Sequence, residues 1–320
     1  MNVPDEQAKN MAKSLRAMAD TLDPPTPSSP PAQPPTAAPV GATGSWRKTF
    51  EDGFDGTALD LTKWRTGRPA DATGGHVGYA ADQGEKTFYL GEQVSVKDGN
   101  LALTATNKPL TVVRDASRQG QLQGDTYYRP NDQGTWQYRS GTVTTGADLN
   151  GWTSAKASAM KDWTKKPPTL QVLYGWIEAR IKLPKGKGLW PAFWMLPVDG
   201  SWSYEIDILE QVDSTGRRLA QHLHANNNAV DFTKYDGLGW DSGIDLTADF
   251  HVYAVNWTKD KLQWLVDGKV IQETSVNVPN VAMYLLLNLA VGGNWPGNPD
   301  ASTQFPSSML VDWVRVWSPA

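Results

Sequence analysis

No cysteine occurs in the 320 residues, which removes disulfide frameworks and metal–thiolate sites. The absence leaves the compartment open, since large domains outside cells often do without disulfides. No run of about 18 apolar residues is present, so no membrane span is expected. The N-terminus has no apolar segment of signal-peptide type, so export by the usual route is not supported. Positive charge is not in excess either: the formal net charge is −4 and the pI is near 5.6. Neither nucleic acid nor an anionic membrane surface is therefore an expected partner. After residue 45 there is also no long helical period, and strands without intervening helices argue for an antiparallel sandwich rather than a parallel α/β sheet.

Tryptophan and proline are abundant, and they divide the chain. All 15 tryptophans lie after residue 45, a number that suits a β core and also a carbohydrate cleft, because sugar rings present C–H faces that stack on aromatic planes. Eight prolines fall within residues 24–39, which predicts an extended, semi-rigid linker. Residues 5–22 before it read as a short amphipathic helix with Met11, Leu15, Met18 and Leu22 on one stripe. The expected organisation is a leader over 1–45, largely disordered and open to docking an unknown partner, and one domain over 46–320. A chain of this length and 39% hydrophobic content can bury one large core.

Within 46–320 the signals are those of short strands. Gln93 to Thr104 and Leu262 to Ile271 are alternating runs around Asp98-Gly99 and Asp267-Gly268, a strong hairpin signal. Tyr174 to Leu183 alternates, and Leu189 to Leu196 carries Trp190 and Trp194 on one parity. Residues 107–168 are less regular, with Trp136, Trp152 and Trp163 among polar residues, and loops of such length inside a domain are usually functional or disordered.

The most informative stretch is Glu205-Ile206-Asp207-Ile208-Leu209-Glu210, with carboxylates at offsets 0, 2 and 5. In a regular strand Glu205 and Asp207 share a face, Ile206 and Ile208 take the other, and Glu210 has the wrong parity. A single-residue bulge at Leu209 restores it and lines up three acids. Taken alone, the spacing suits a solvated acidic strand equally well, with Leu209 and Glu210 starting a turn.

The chain from about Phe50 to Trp317 resembles the laminarinase-like branch of glycoside hydrolase family 16. Phe50-Glu51-Asp52-Gly53-Phe54-Asp55-Gly56 with Trp64, Tyr174 to Pro184, Gly188 to Leu196, Glu205 to Glu210, Phe250-His251-Val252-Tyr253, Val266-Asp267-Gly268, Val291 to Gly297 and Val311 to Val316 carry the likeness in order. The resemblance implies an all-β jelly-roll sandwich of two curved antiparallel sheets with the substrate across the concave face. It implies Glu205 as nucleophile, Asp207 as its assistant and Glu210 as acid/base of an endo-acting, retaining hydrolysis of a β-linked polysaccharide, most simply a β-1,3-glucan. Such a pair of carboxyl groups stands about 5–5.5 Å apart.

Trp190, Trp194, Trp202 and Trp295 are then candidate sugar platforms, His224 borders the cleft, and Asn288 and Asn294 are candidates for contacting hydroxyls. His222 alternates with His224 and can face the same side, while His251 reads as structural. For each tryptophan, ordinary core packing is the competing role. Family likeness also implies a structural calcium ion on the convex side, held by Asp312 and backbone oxygens near Gly99; Gly53 stands where an acidic residue is usual. No cofactor is required for the chemistry. Ser203-Tyr204 replace the usual small residues before the first acid, and an extra loop with Trp152 and Trp163 precedes Tyr174, so bacterial exopolysaccharides and algal galactans are alternative substrates. A transglycosylase of the plant type uses offset 4 rather than 5, and a non-catalytic binding module would have lost one of the three acids. A polysaccharide substrate suggests an extracellular, surface-associated or virion-associated location.

Overall fold

Two Asp-Gly turns fix the first pairings of the sandwich. Asp98 and Gly99 have φ of 53° and 71°, and Asp267 and Gly268 have 48° and 76°. Two successive positive φ values make the tight turn whose twist matches that of the flanking strands. They fold Val94–Lys97 onto Asn100–Ala105 and Leu262–Val266 onto Lys269–Thr274. The structure is a computed structural model that describes residues 37–66, 76–77, 84–129, 133–146, 167–199, 204–225, 228–230 and 239–320, with backbone alone at 76–77 and 228–230. All of these lie in the unit Pro35–Ala320.

One eight-stranded sheet runs Lys269–Thr274, Leu262–Val266, His251–Trp257, Gly175–Lys182, Ser307–Pro319, Asn100–Ala105, Val94–Lys97, with Trp46–Asp52 also paired to Ser307–Pro319. The other runs Asn228–Val230, Arg218–Ala225, Tyr204–Glu210, Leu189–Pro197, Met283–Val291, Thr142–Thr144, Arg65–Thr66, with Trp240–Asp241 on Arg218–Ala225. Every pairing inside these two sheets is antiparallel. Alternation then decides what meets. Ile177, Ala179 and Ile181 of the first sheet share one core with Phe193, Met195, Leu285, Leu287 and Leu289 of the second. Fully burying each large aliphatic or aromatic side chain contributes about 1.5–3 kcal/mol. Opposite-parity residues Ala192, Trp194, Leu196, Tyr284 and Leu286 form a separate buried layer on the outer, concave face of the second sheet. The antiparallel sandwich is thus the architecture expected from the strand pattern, and the jelly roll the one the resemblance implies.

Two expectations are corrected. Part of the segment read as irregular, 107–136, forms a four-stranded sheet of Gly134–Trp136, Leu110–Arg114, Thr126–Arg129 and Leu122–Gln123. It closes over Phe88, Leu90, Leu110, Val112 and Tyr127, a core of its own. Packing against the domain also extends to Pro39, ahead of Trp46. Pro39 is buried, the Val40 N–H donates to the Glu178 carboxylate at 3.0 Å, and Ala42 packs against the cluster of Trp176, Ala254, Leu265 and Trp317. Gly41 sits so close to Gly268 that a Cβ there would lie 2.3 Å from its carbonyl oxygen. The helix expected at 5–22, most of the proline-rich linker, Trp152 and Trp163 lie outside the described residues. Among the described residues no helix is long and apolar enough to cross a membrane.

Candidate active site

The three acids stand on Tyr204–Glu210, between Leu189–Pro197 and Arg218–Ala225. Trp194 pairs with Asp207 but Phe193 with Leu209, so the register slips by one residue. On the other side Asp207 pairs with His222 and Glu210 with Ala220. The bulge therefore spans Ile208 and Leu209, and both side chains are fully buried in the core. Two consecutive residues pointing inward return Glu210 to the face of Glu205 and Asp207. A bulge frees backbone groups from the ladder, and buried ones must find partners. The Asp207 carbonyl accepts from Trp264 Nε1 of the opposite sheet at 2.8 Å, and the Ile208 carbonyl accepts from Gln221 Nε2 at 3.3 Å.

Glu210 is held at both oxygens. Trp190 Nε1 donates to Oε1 at 2.9 Å, and His222 Nδ1 lies 2.7 Å from Oε2. Asp207 is 2% exposed, and a side-chain hydrogen bond joins it to Glu205. Its Oδ2 is buried without a well-formed hydrogen bond, 3.3 Å from His224 Nε2 and 3.8 Å from His222 Nδ1. Burial, and then the negative charges of Glu210 and Glu205, push the Asp207 carboxyl well above its ordinary range. The protonated form of Asp207 is thereby favoured, and it is the form that can donate to Glu205. Burial alone would depress His222, but the hydrogen bond and charge of Glu210 and the charge of Asp207 raise it overall. His224 works against that rise.

The remaining expected residues divide by environment. Trp190 and Trp295 meet edge to face at 5.4 Å, and Trp295 lies 5.7 Å from the His222 ring. Both are half-buried and flank Glu210, where an aromatic face can meet a sugar. His224, expected to border the cleft, has Nε2 3.9 Å from Glu205 Oε1, beside the acids. Asn288 differs from the expectation: it is buried, accepts from Trp194 Nε1 at 2.7 Å and donates to the Tyr89 hydroxyl at 3.0 Å. Its amide fixes Trp194 instead of facing the cleft. Asn294 is exposed, on the turn that carries Trp295, and His251 Nδ1 contacts Asp267 at 2.7 Å, the structural role expected of it. Trp202 lies outside the described residues. Sequence reasoning left out Trp264, whose only signal is its place in an alternating hairpin strand.

Calcium does not fit the residues named for it. Arg180 Nη1 donates to Asp312 Oδ2 at 2.7 Å in a largely buried pair, and the guanidinium also lies over Phe250. A fixed cation already neutralises the carboxylate that calcium would need. Gly99, at its solvent-facing turn, has nothing within 4 Å of where a Cβ would stand. Asp207, His222 and His224 bring donor atoms within 4.8 Å of one another. Within that cluster His222 is already engaged by Glu210.

A sequence model of the glycosyl hydrolases family 16 matches residues 92–315. The chain is 31% identical over 291 residues to glucan endo-1,3-beta-glucosidase A1 of Niallia circulans, covering 84% of this chain but only 37% of that protein. It is 34% identical over 194 residues to a glucan endo-1,3-beta-glucosidase of Cryptopygus antarcticus, covering 52% of this chain and 67% of that one. The endo-beta-1,3-glucanase structure from Pyrococcus furiosus superposes with a TM-score of 0.63 at 29% identity, covering 88% of this chain and 99% of that one.

Proposed function

The chain belongs to glycosyl hydrolases family 16, and from that membership we propose that it cleaves internal linkages of a β-1,3-glucan-type polysaccharide with retention. The observation that carries the assignment of roles is the bulge, which sets Glu205, Asp207 and Glu210 on one open face with Glu210 gripped between Trp190 and His222. Glu205 attacks the anomeric carbon while Glu210 protonates the departing glycosidic oxygen. Water then takes the place of the leaving group, Glu210 removes its proton, and the bond to Glu205 breaks. Asp207, whose carboxyl burial and its acidic neighbours push upward, hydrogen-bonds Glu205 and fixes its rotamer. Trp190 and Trp295 supply apolar area beside the acid for a sugar ring. The β-1,3-glucan preference rests on the relatives named for that substrate.

The test is a reducing-sugar assay over a panel of β-glucans, galactans and exopolysaccharides, with the anomer of the first product read by NMR. Shortening of laminarin-type glucan with a β-anomeric first product is expected. An α-anomer would remove the roles of Glu205 and Glu210, and activity confined to another polymer would remove the substrate.

A further inference from the structure

His222 is not needed by the two-carboxylate scheme, yet its Nδ1 lies 2.7 Å from Glu210 Oε2. Its side chain is mostly buried. With Trp190 on Oε1, both oxygens of Glu210 have partners, so the carboxyl proton cannot be described without the imidazole.

We propose that His222 is the proton partner of Glu210, so that the acid/base of this chain is the His222–Glu210 pair rather than one carboxyl group. This rests on the reading of Glu210 as acid/base. The pair holds one proton between Nδ1 and Oε2. In the first step that proton passes from Oε2 to the leaving oxygen as the glycosidic C–O bond breaks and the bond to Glu205 forms, which leaves neutral imidazole and a carboxylate. In the second step water adds to the anomeric carbon, the bond to Glu205 breaks, and the proton lost by water returns to Oε2 and is again shared with Nδ1. The proton count of the pair runs one, zero, one, and no further reactant is needed.

The surroundings favour this division of labour. From the Tyr204–Glu210 strand, Glu210 and Asp207 face the imidazole at 2.7 and 3.8 Å. From its own strand, His224 lies beside it with ring centres 5.8 Å apart, and the turn after Val291 contributes the uncharged Trp295. Glu210, through its hydrogen bond and its charge, does most to raise the proton affinity of His222, Asp207 adds to it, and His224 opposes it. An imidazole so placed keeps the pair singly protonated to higher pH than a lone carboxyl group would remain protonated. The alkaline limb of activity then belongs to the pair.

The decisive measurement is kcat/KM against pH for the wild type, His222→Asn and His222→Ala, with thermal midpoints taken alongside. The Asn amide reaches the Nδ1 position and does not titrate. Both variants are expected to lose activity from the alkaline side, the limb moving down by about one pH unit, a tenfold loss above it and little change on the acid side. Limbs that coincide with the wild type in both variants would overturn the proposal. A second readout does not depend on turnover. With four histidines in the chain, the His222 imidazole can be followed by ¹⁵N NMR, and its titration midpoint should fall in Glu210→Gln. An unchanged midpoint would overturn the pairing. Glu210→Ala separates the two levels: retained activity removes the acid/base reading itself, whereas an inactive Glu210→Ala with unshifted His222 variants removes only the present inference.

Discussion

Trp264 and Asp207 meet across the sandwich, the indole N–H of one donating to the main-chain carbonyl of the other at 2.8 Å. Trp264 belongs to the sheet opposite the one that carries the three acids, and it is completely buried. Asp207 is the last residue before the register slips, and this indole N–H bonds its carbonyl there. The register slip that aligns the acids is thus tied to the opposite sheet by one hydrogen bond.

Trp264→Phe tests that tie. The ring is largely kept, but the Asp207 carbonyl loses the indole donor, at a cost of about 1–3 kcal/mol. The lost volume adds to it. A lower denaturant midpoint is expected together with reduced kcat at nearly constant KM, because the displaced group sets the rotamer of Glu205 rather than contacting polymer. An unchanged midpoint would mean that the carbonyl finds another partner.

Glu205→Ala and Glu210→Ala probe different steps. Removing the nucleophile should abolish turnover on every β-linked substrate. Removing the acid/base should hurt most for poor leaving groups, so an activated aryl glycoside should retain far more activity than the polysaccharide. Azide should then rescue Glu210→Ala by entering the second step without a general base. Equal loss on both substrates with no rescue would remove Glu210 from that role.

The pattern of local signals made the sandwich legible before any coordinates: both Asp-Gly turns fold as hairpins, and the acids share a face. What was not legible depends on distant partners. Asn288 reads as a polar residue available to sugar, but Trp194 and Tyr89, which occupy its amide, are 94 and 199 positions away. Arg180, which claims Asp312, is 132 positions away. The small sheet of 107–136 escapes notice because its strands are two to five residues long, too short for alternation to show. The bulge was expected at Leu209, whereas the structure spreads it over Ile208 and Leu209. Inward packing of two adjacent apolar residues leaves no mark in a binary pattern.

Asp207→Asn should make stability less dependent on pH. The carboxyl of Asp207 is raised by folding, so the native state holds a proton that the unfolded chain releases above about pH 4. Its stability contribution is present below that value and is lost as pH rises toward the folded value, by up to about 1.4 kcal/mol per unit. Asparagine keeps the donor to Glu205 and does not titrate. The variant should therefore match or exceed the wild type in thermal midpoint at pH 7, with the difference closing toward pH 4. A constant difference across that range would show that Asp207 is not protonated in the fold.

Chelation should not matter to the fold. Arg180 and Asp312 neutralise each other, so EDTA should leave the thermal midpoint unchanged, and added calcium should not raise it. Arg180→Ala, by contrast, strands a largely buried carboxylate and should cost about 3–5 kcal/mol. A calcium-dependent rise in the wild-type midpoint would show that the cation binds despite the guanidinium.

Trp190 and Trp295 stand in contact yet should separate kinetically. Trp190 donates to Glu210 Oε1, so its indole N–H acts on the acid itself. Trp190→Phe retains an aromatic surface for sugar and removes the donor. A hydrogen bond to a charged group contributes about 1.5–3 kcal/mol, which corresponds to roughly 10- to 150-fold in rate if it is fully expressed in the transition state. The expected result is therefore a fall in kcat with little change in KM, together with an altered pH profile, since the proton affinity of Glu210 depends on what its oxygens accept. Trp295→Ala removes stacking area beside the cleft and leaves the Trp190 donor in place, so it should raise KM for long polymers more than it lowers kcat. If Trp190→Phe raised KM alone and left the pH profile unmoved, Trp190 would be a sugar platform only, and the grip on Glu210 would rest with His222.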